Sequence, residues 1–70
     1  MWARRLRKRR AAIAHERRDP GTILLRILVP HLLPVEPDPY DRTVNKRAWE
    51  RSVQDWRSEL KELKVQHELS

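Results

Sequence analysis

Between Asn45 and Glu68 large apolar residues recur at Trp49, Val53, Trp56, Leu60 and Leu63, a spacing of four, three, four and three that only Val65 departs from. Residues spaced this way return to one side of an α-helix every two turns, whereas a strand would scatter them over both faces. The stretch is therefore a helix with one apolar seam, and that seam needs cover. At about 100° per residue, with Trp49 at zero, the seam is about 80° wide. The charges on the remaining surface separate by sign. Lys46, Arg47, Arg51, Arg57, Lys61 and Lys64 lie between about 60° and 200°, and Asp55, Glu59 and Glu62 between about 220° and 280°, with Glu50 and Glu68 the exceptions. Asp41 or Thr43 can cap this helix, which the pattern carries over residues 43–68.

What could cover the seam is limited. The most apolar window is "TILLRILV" at 22–29, and a lone window of this kind has no strand to pair with, so it reads as a short helix, capped by Thr22 and ended by Pro30. Four of the five prolines follow within 30–41, which makes that stretch an extended connector with Leu32, Leu33, Val35 and Tyr40 packing across the helices. Residues 1–18 lack Gly and Pro and are rich in Arg, Ala and Leu, all good helix formers. Trp2, Leu6 and Ile13 fall near one stripe of this basic helical arm, with Arg9 and Arg10 interrupting it. "DPG" at 19–21 stops the arm: Pro20 disfavours helical geometry at Asp19, and Gly21 suits a positive φ. The expected fold is all-α, three helices in an L-shaped or loosely bundled arrangement, with the arm at 1–18 and the helical body at 19–70.

A chain of 70 residues buries only about 60% of the surface that its unfolded form exposes. Small domains often add disulfides or a structural metal. There is no Cys, and His15, His31 and His67 lie too far apart for the short spacings of zinc sites, so no metal or cofactor is expected. The net charge of +6 points instead to an acidic partner: nucleic acid, the commonest case, an anionic membrane surface or an acidic protein. Residues 1–18 carry eight cations against Glu16, and the rest of the chain sums to −1. "ILLRILV" is short and interrupted by Arg26, so neither a membrane span nor a secretory signal is expected. No nucleophile, phosphate-cradling glycine loop or paired acid and base is recognisable, which argues against an enzyme.

The tryptophans have two readings. Both can be core residues of the seam, or one of them can offer a ring on which an unpaired base stacks, a contact of about 1–3 kcal/mol. The basic side of the helix reads as a solvated face or as a surface for phosphates. Arg47 and Arg51 form a like-charge pair one turn apart, a cost of a few tenths of a kcal/mol unless an anion lies across them. "RRLRKRR" suits a nuclear localisation patch, a phosphate-binding helix or the start of a mitochondrial presequence.

"VPHLLPVEPDPYDRTVNK" followed by "RAWERSVQDWRSEL" resembles the RNA-binding domain of histone mRNA stem-loop-binding proteins. There a Val-Pro, a Pro-rich turn and a Thr-Pro-Asn-Lys turn precede a helix with two tryptophans seven residues apart. Val29-Pro30, Asp38-Pro39, Thr43 to Lys46, Arg47 to Glu50 and Trp56-Arg57 stand at matching places over about 35 residues. The resemblance implies binding of the stem-loop at the 3′ end of histone mRNA, alongside RNA-processing proteins, in nucleus and cytoplasm. It implies that Arg47 reads a guanine of the stem and that Trp56 packs the turn, which includes Thr43, against the last helix. The chain departs from the family in having Val44 in place of the turn proline and Lys61 in place of a stacking histidine. It also lacks tyrosines in "LLRIL", as well as several residues before the helix, so that Lys46 serves both turn and helix.

The RNA-binding candidates are thus Arg47 on a base edge, Arg51, Arg57 and Lys61 on phosphates, and Lys46, Trp49, Arg7 and Arg10 around them; Thr43, Trp56 and Pro30 are structural. The alternative is a short helical interaction subunit: a homo-oligomeric coiled coil closed by the seam, or a ribosome-associated protein, with a mitochondrial location open to it.

Overall fold

The computed structural model describes residues 1–69. They form three α-helices and no strand: α1 (Trp2–Arg17), α2 (Pro20–Leu28), a single 3₁₀ turn (Pro30–Leu32) and α3 (Lys46–Gln66). The molecule measures 40 × 18 × 18 Å.

Helix α3 is the spine, and its seam is the core. Trp49, Val53, Trp56 and Leu60 are buried together with Ile13 of α1 and Leu25 of α2, and Leu63 packs against this cluster. Removing each large side chain from water contributes about 1.5–3 kcal/mol. The ties between elements fix their directions. Arg9 reaches the carbonyls of Asp41 and Val44, just before α3, and Glu16 pairs with Arg57, so α1 runs in the same direction as α3 along its N-terminal half. Asp19 pairs with Lys64, and Thr22 and Arg26 share a hollow with Trp56 and Leu60, so α2 runs back along the C-terminal half. The connector then returns beside Ser52, Asp55 and Glu59, on the flank of α3 opposite α1.

Several local expectations are corrected. The short helix begins at Pro20, two residues before 22, because the Asp19 carboxylate, not Thr22, accepts the first free amide (Thr22 N–H, 3.1 Å) and Pro20 is preset for the first helical position. It closes at Leu28, where Val29 leaves helical geometry ahead of Pro30. Gly21 takes no positive φ; it is helical, and a Cβ there would come within 2.9 Å of Lys64 Cδ and 3.2 Å of the Leu69 carbonyl oxygen. Close approach of α2 to the end of α3 favours glycine here, since a larger residue would displace the Lys64 side chain and press on the chain end.

The long helix spans 46–66 and not 43–68. Asn45 caps it, Oδ1 accepting the Ala48 N–H at 2.8 Å, while Asp41 and Thr43 bond each other in the preceding turn. Its C-terminus closes with the Leu69 N–H on the Lys64 carbonyl and the Glu68 N–H on the Val65 carbonyl, with Glu68 at φ 57°. In the connector, Leu33 packs on the core, but Leu32, Val35 and Tyr40 face solvent, Val35 almost completely at 93% exposure. The prolines keep this stretch extended without folding its apolar side chains inward.

Candidate nucleic-acid interface

Because α1 and α3 run side by side from the same end, their facing flanks enclose a groove of about 270 Å³. Arg5, Lys8 and Ala12 form one bank, Lys46, Glu50, Gln54 and Arg57 the other, and Arg9, Trp49 and Val53 the inner wall. Five cations thus meet one carboxylate. Arg57 is held by Glu16 at 3.1 Å through Nε. Neither helix has an acidic residue in its first turn, where the aligned peptide dipoles favour negative charge; Arg4 and Arg5 begin one, Lys46 and Arg47 the other. The open end of the groove therefore combines two positive helix ends with uncompensated side-chain cations, an arrangement stabilised by an external polyanion.

Arg9 anchors this end. Only 4% of it is exposed, and its guanidinium donates to the Asp41 carbonyl (2.8 Å) and the Val44 carbonyl (3.0 Å). The same group lies 5.0 Å from the centre of the Trp49 ring and 5.2 Å from that of Trp2, and Arg42 lies 4.8 Å from Trp2 in turn. A buried cation costs several kcal/mol unless its donors are satisfied. Here two carbonyls and two ring faces do so, and each ring contact contributes up to about 2 kcal/mol once desolvated. Trp49 Nε1–H donates to the Asp38 carbonyl at 3.1 Å, which ties the connector to the same cluster.

The structure divides the sequence candidates into groups. Lys46 and Arg57 line the groove, and Lys61 follows Arg57 one turn on along the same flank. Arg47 and Arg51 are exposed on the outer crest of α3, about 160–200° from the seam. Arg7 and Arg10 lie on the opposite flank of α1, with Ala3, Leu6 and Ala14. Trp49 is buried against Arg9 and is not a platform for a base; Trp56 is buried beside the connector. Thr43 bonds the Asp41 carboxylate through its N–H at 2.9 Å and through its hydroxyl, and Pro30 opens the 3₁₀ turn.

Arg5, Lys8 and Arg9 were read only as part of the basic run "RRLRKRR", and neither they nor Arg42 were among the site residues named from sequence. For Arg9 the signal was present: it lies seven residues after Trp2 and four before Ile13, on the buried stripe itself and not across it.

The Thr43 hydroxyl and amide, donating to Asp41, hold its carboxyl below the usual carboxylate range. The Lys64 ammonium, bonded at 2.7 Å, does the same for Asp19, with the Thr22 amide adding to it. Among the described residues no group of carboxylates and histidines could hold a metal ion, and no helix is long and apolar enough to cross a membrane. No protein-family model matches the chain, and no curated protein or solved structure does so either. Fold and site together define a small all-α domain with a basic groove between two co-directional helices.

Proposed function

We propose that this protein binds RNA, and that its ligand is a stem-loop. The observation that carries the reading is the α1/α3 groove, where Arg5, Lys8, Lys46 and Arg57 converge from two helices on one strip of surface. One strand's phosphates run along that strip. Arg47, exposed on the neighbouring crest of α3, takes a guanine edge in this reading, with two donors for O6 and N7, Arg51 takes the backbone, and Lys61 extends the contact. Such an edge is open at the end of a stem, where RNA is commonly read.

Trp49 and Trp56 are buried and Trp2 is held between Arg9 and Arg42, while Tyr40, 58% exposed, sits beside Arg10 on the flank of α1 away from the groove, so stacking on an unpaired base is not part of this reading. The finer assignment, the 3′ stem-loop of histone mRNA bound in nucleus and cytoplasm with RNA-processing proteins, rests on the Val29 to Trp56 resemblance. Pairing of two chains through the α3 seam is the weaker reading, because α1 and α2 already cover that seam.

The test is fluorescence anisotropy of a labelled hairpin and of the same strand with its stem disrupted, across a salt series. Six phosphate contacts, the four groove cations with Arg51 and Lys61, give a log–log salt slope of about −4 to −5, and Lys8→Gln or Lys46→Gln lowers its magnitude by about 1. Arg47→Ala lowers affinity by about tenfold and relaxes preference at one base pair. Equal binding to both strands, or binding indifferent to Lys8 and Lys46, would refute the reading.

A further inference from the structure

A helix packed on one side normally exposes polar residues on the other. In α2 the outward side is apolar. With Leu25 at zero, the buried residues Gly21, Thr22 and Leu25 lie within about 60° of one another's mean direction, while Ile23, Ile27, Leu24 and Leu28 occupy the opposite arc, from about 160° to 300°. These four, with Leu32 in the following 3₁₀ turn, are between 44 and 69% exposed. Contiguous exposed aliphatics of this kind mark interaction sites.

Charge identifies the occupant. Residues 20–35 contain no Asp or Glu, and the charged or titratable groups bordering the patch are Arg18, Arg26 and His31. The carboxylates that flank this stretch of the chain are engaged, Asp19 with Lys64 and Glu36 with Arg17 through both of its oxygens. A second copy of the chain fits poorly, because in a two-fold contact the same patch faces itself, and two borders of Arg18, Arg26 and His31 would meet with no carboxylate from residues 20–35 to offset them. We infer that α2 and the 3₁₀ turn form a docking surface for an acidic amphipathic helix of a partner protein, whose aliphatic stripe covers Ile23, Leu24, Ile27 and Leu28 while its carboxylates meet Arg18 and Arg26. The surface belongs to the C-terminal half of α3, apart from the basic groove, so the two can be occupied together.

The probe is a labelled four-turn peptide with Leu on one face and Glu on the other, titrated with the full chain and followed by anisotropy. The expected result is saturable binding that Ile27→Ser and Leu28→Ser each weaken by about tenfold, with circular dichroism unchanged. Arg26→Glu transfers preference to the same peptide carrying Lys in place of Glu. The groove variant Lys8→Gln/Lys46→Gln keeps its peptide affinity, which separates this surface from simple attraction to the cationic groove. Absence of saturable binding, equal binding of a scrambled peptide, or indifference to Ile27 and Leu28 would overturn the proposal. So would sedimentation showing a dimer abolished by Ile27→Ser, or capture by phosphatidylserine vesicles that depends on Ile27 while the peptide does not bind.

Discussion

Arg9 joins two properties that are usually kept apart, a charge and a place in the core. Its planar fork satisfies two carbonyls of one turn while its faces meet indole rings, and lysine, a point charge on a flexible stem, can do neither at once. Arg9→Lys should therefore cost about 2–3 kcal/mol, and Arg9→Ala at least as much, read as a fall in the urea midpoint with a change in tryptophan fluorescence. A neutral result for Arg9→Lys would reduce the cluster to ordinary packing. Asp19 gives a residue-scale test of pH. Its folded carboxyl titrates below the usual range because of Lys64, so its contribution is complete above about pH 4 and is lost as the pH falls through the lower folded value. Asp19→Asn keeps a capping side chain but no charge. The variant's stability should fall less steeply than the wild type's below about pH 4 in urea titrations at stepped pH.

At the scale of elements, helix ends carry most of what sequence reading left open. The seam of α3 was legible because five residues repeat one spacing, whereas a cap depends on a single side chain: the sequence pointed to Asp41 or Thr43, but these bond each other in the preceding turn, and Asn45, of equally suitable type, is the cap. The sequence likewise pointed to Thr22 as the cap of α2, whereas with Pro20 in the first helical position Asp19 takes that place. Of the candidate site, the basic side of α3 was legible. Its other bank was not, because which flank of α1 faces α3 depends on long-range contacts such as Glu16 with Arg57. The end of α3 offers a clean prediction. Glu68 occupies left-handed backbone, which costs a non-glycine residue about 1 kcal/mol, so Glu68→Gly should raise the thermal midpoint by several degrees without altering RNA affinity.

Across the whole molecule the elements are arranged by end. Trp2, Arg9, Arg42 and Asn45 gather at one, and Gly21, Lys64 and Leu69 at the other. The groove belongs to the first and the outward aliphatics of α2 to the second, so RNA and a protein helix would be held along a body 40 Å long. The shared direction of α1 and α3 also has a mechanical consequence. Tension applied between residues 2 and 67 draws the two helices past each other lengthwise, so the Arg9 anchor and the Glu16 to Arg57 tie resist in parallel. Tension between residues 2 and 46, both at the same end, peels them apart one contact at a time. Optical-trap pulling on the two attachment pairs should rupture the first at the higher force, which would make this small chain a stiff strut along one line and a weak clasp across it.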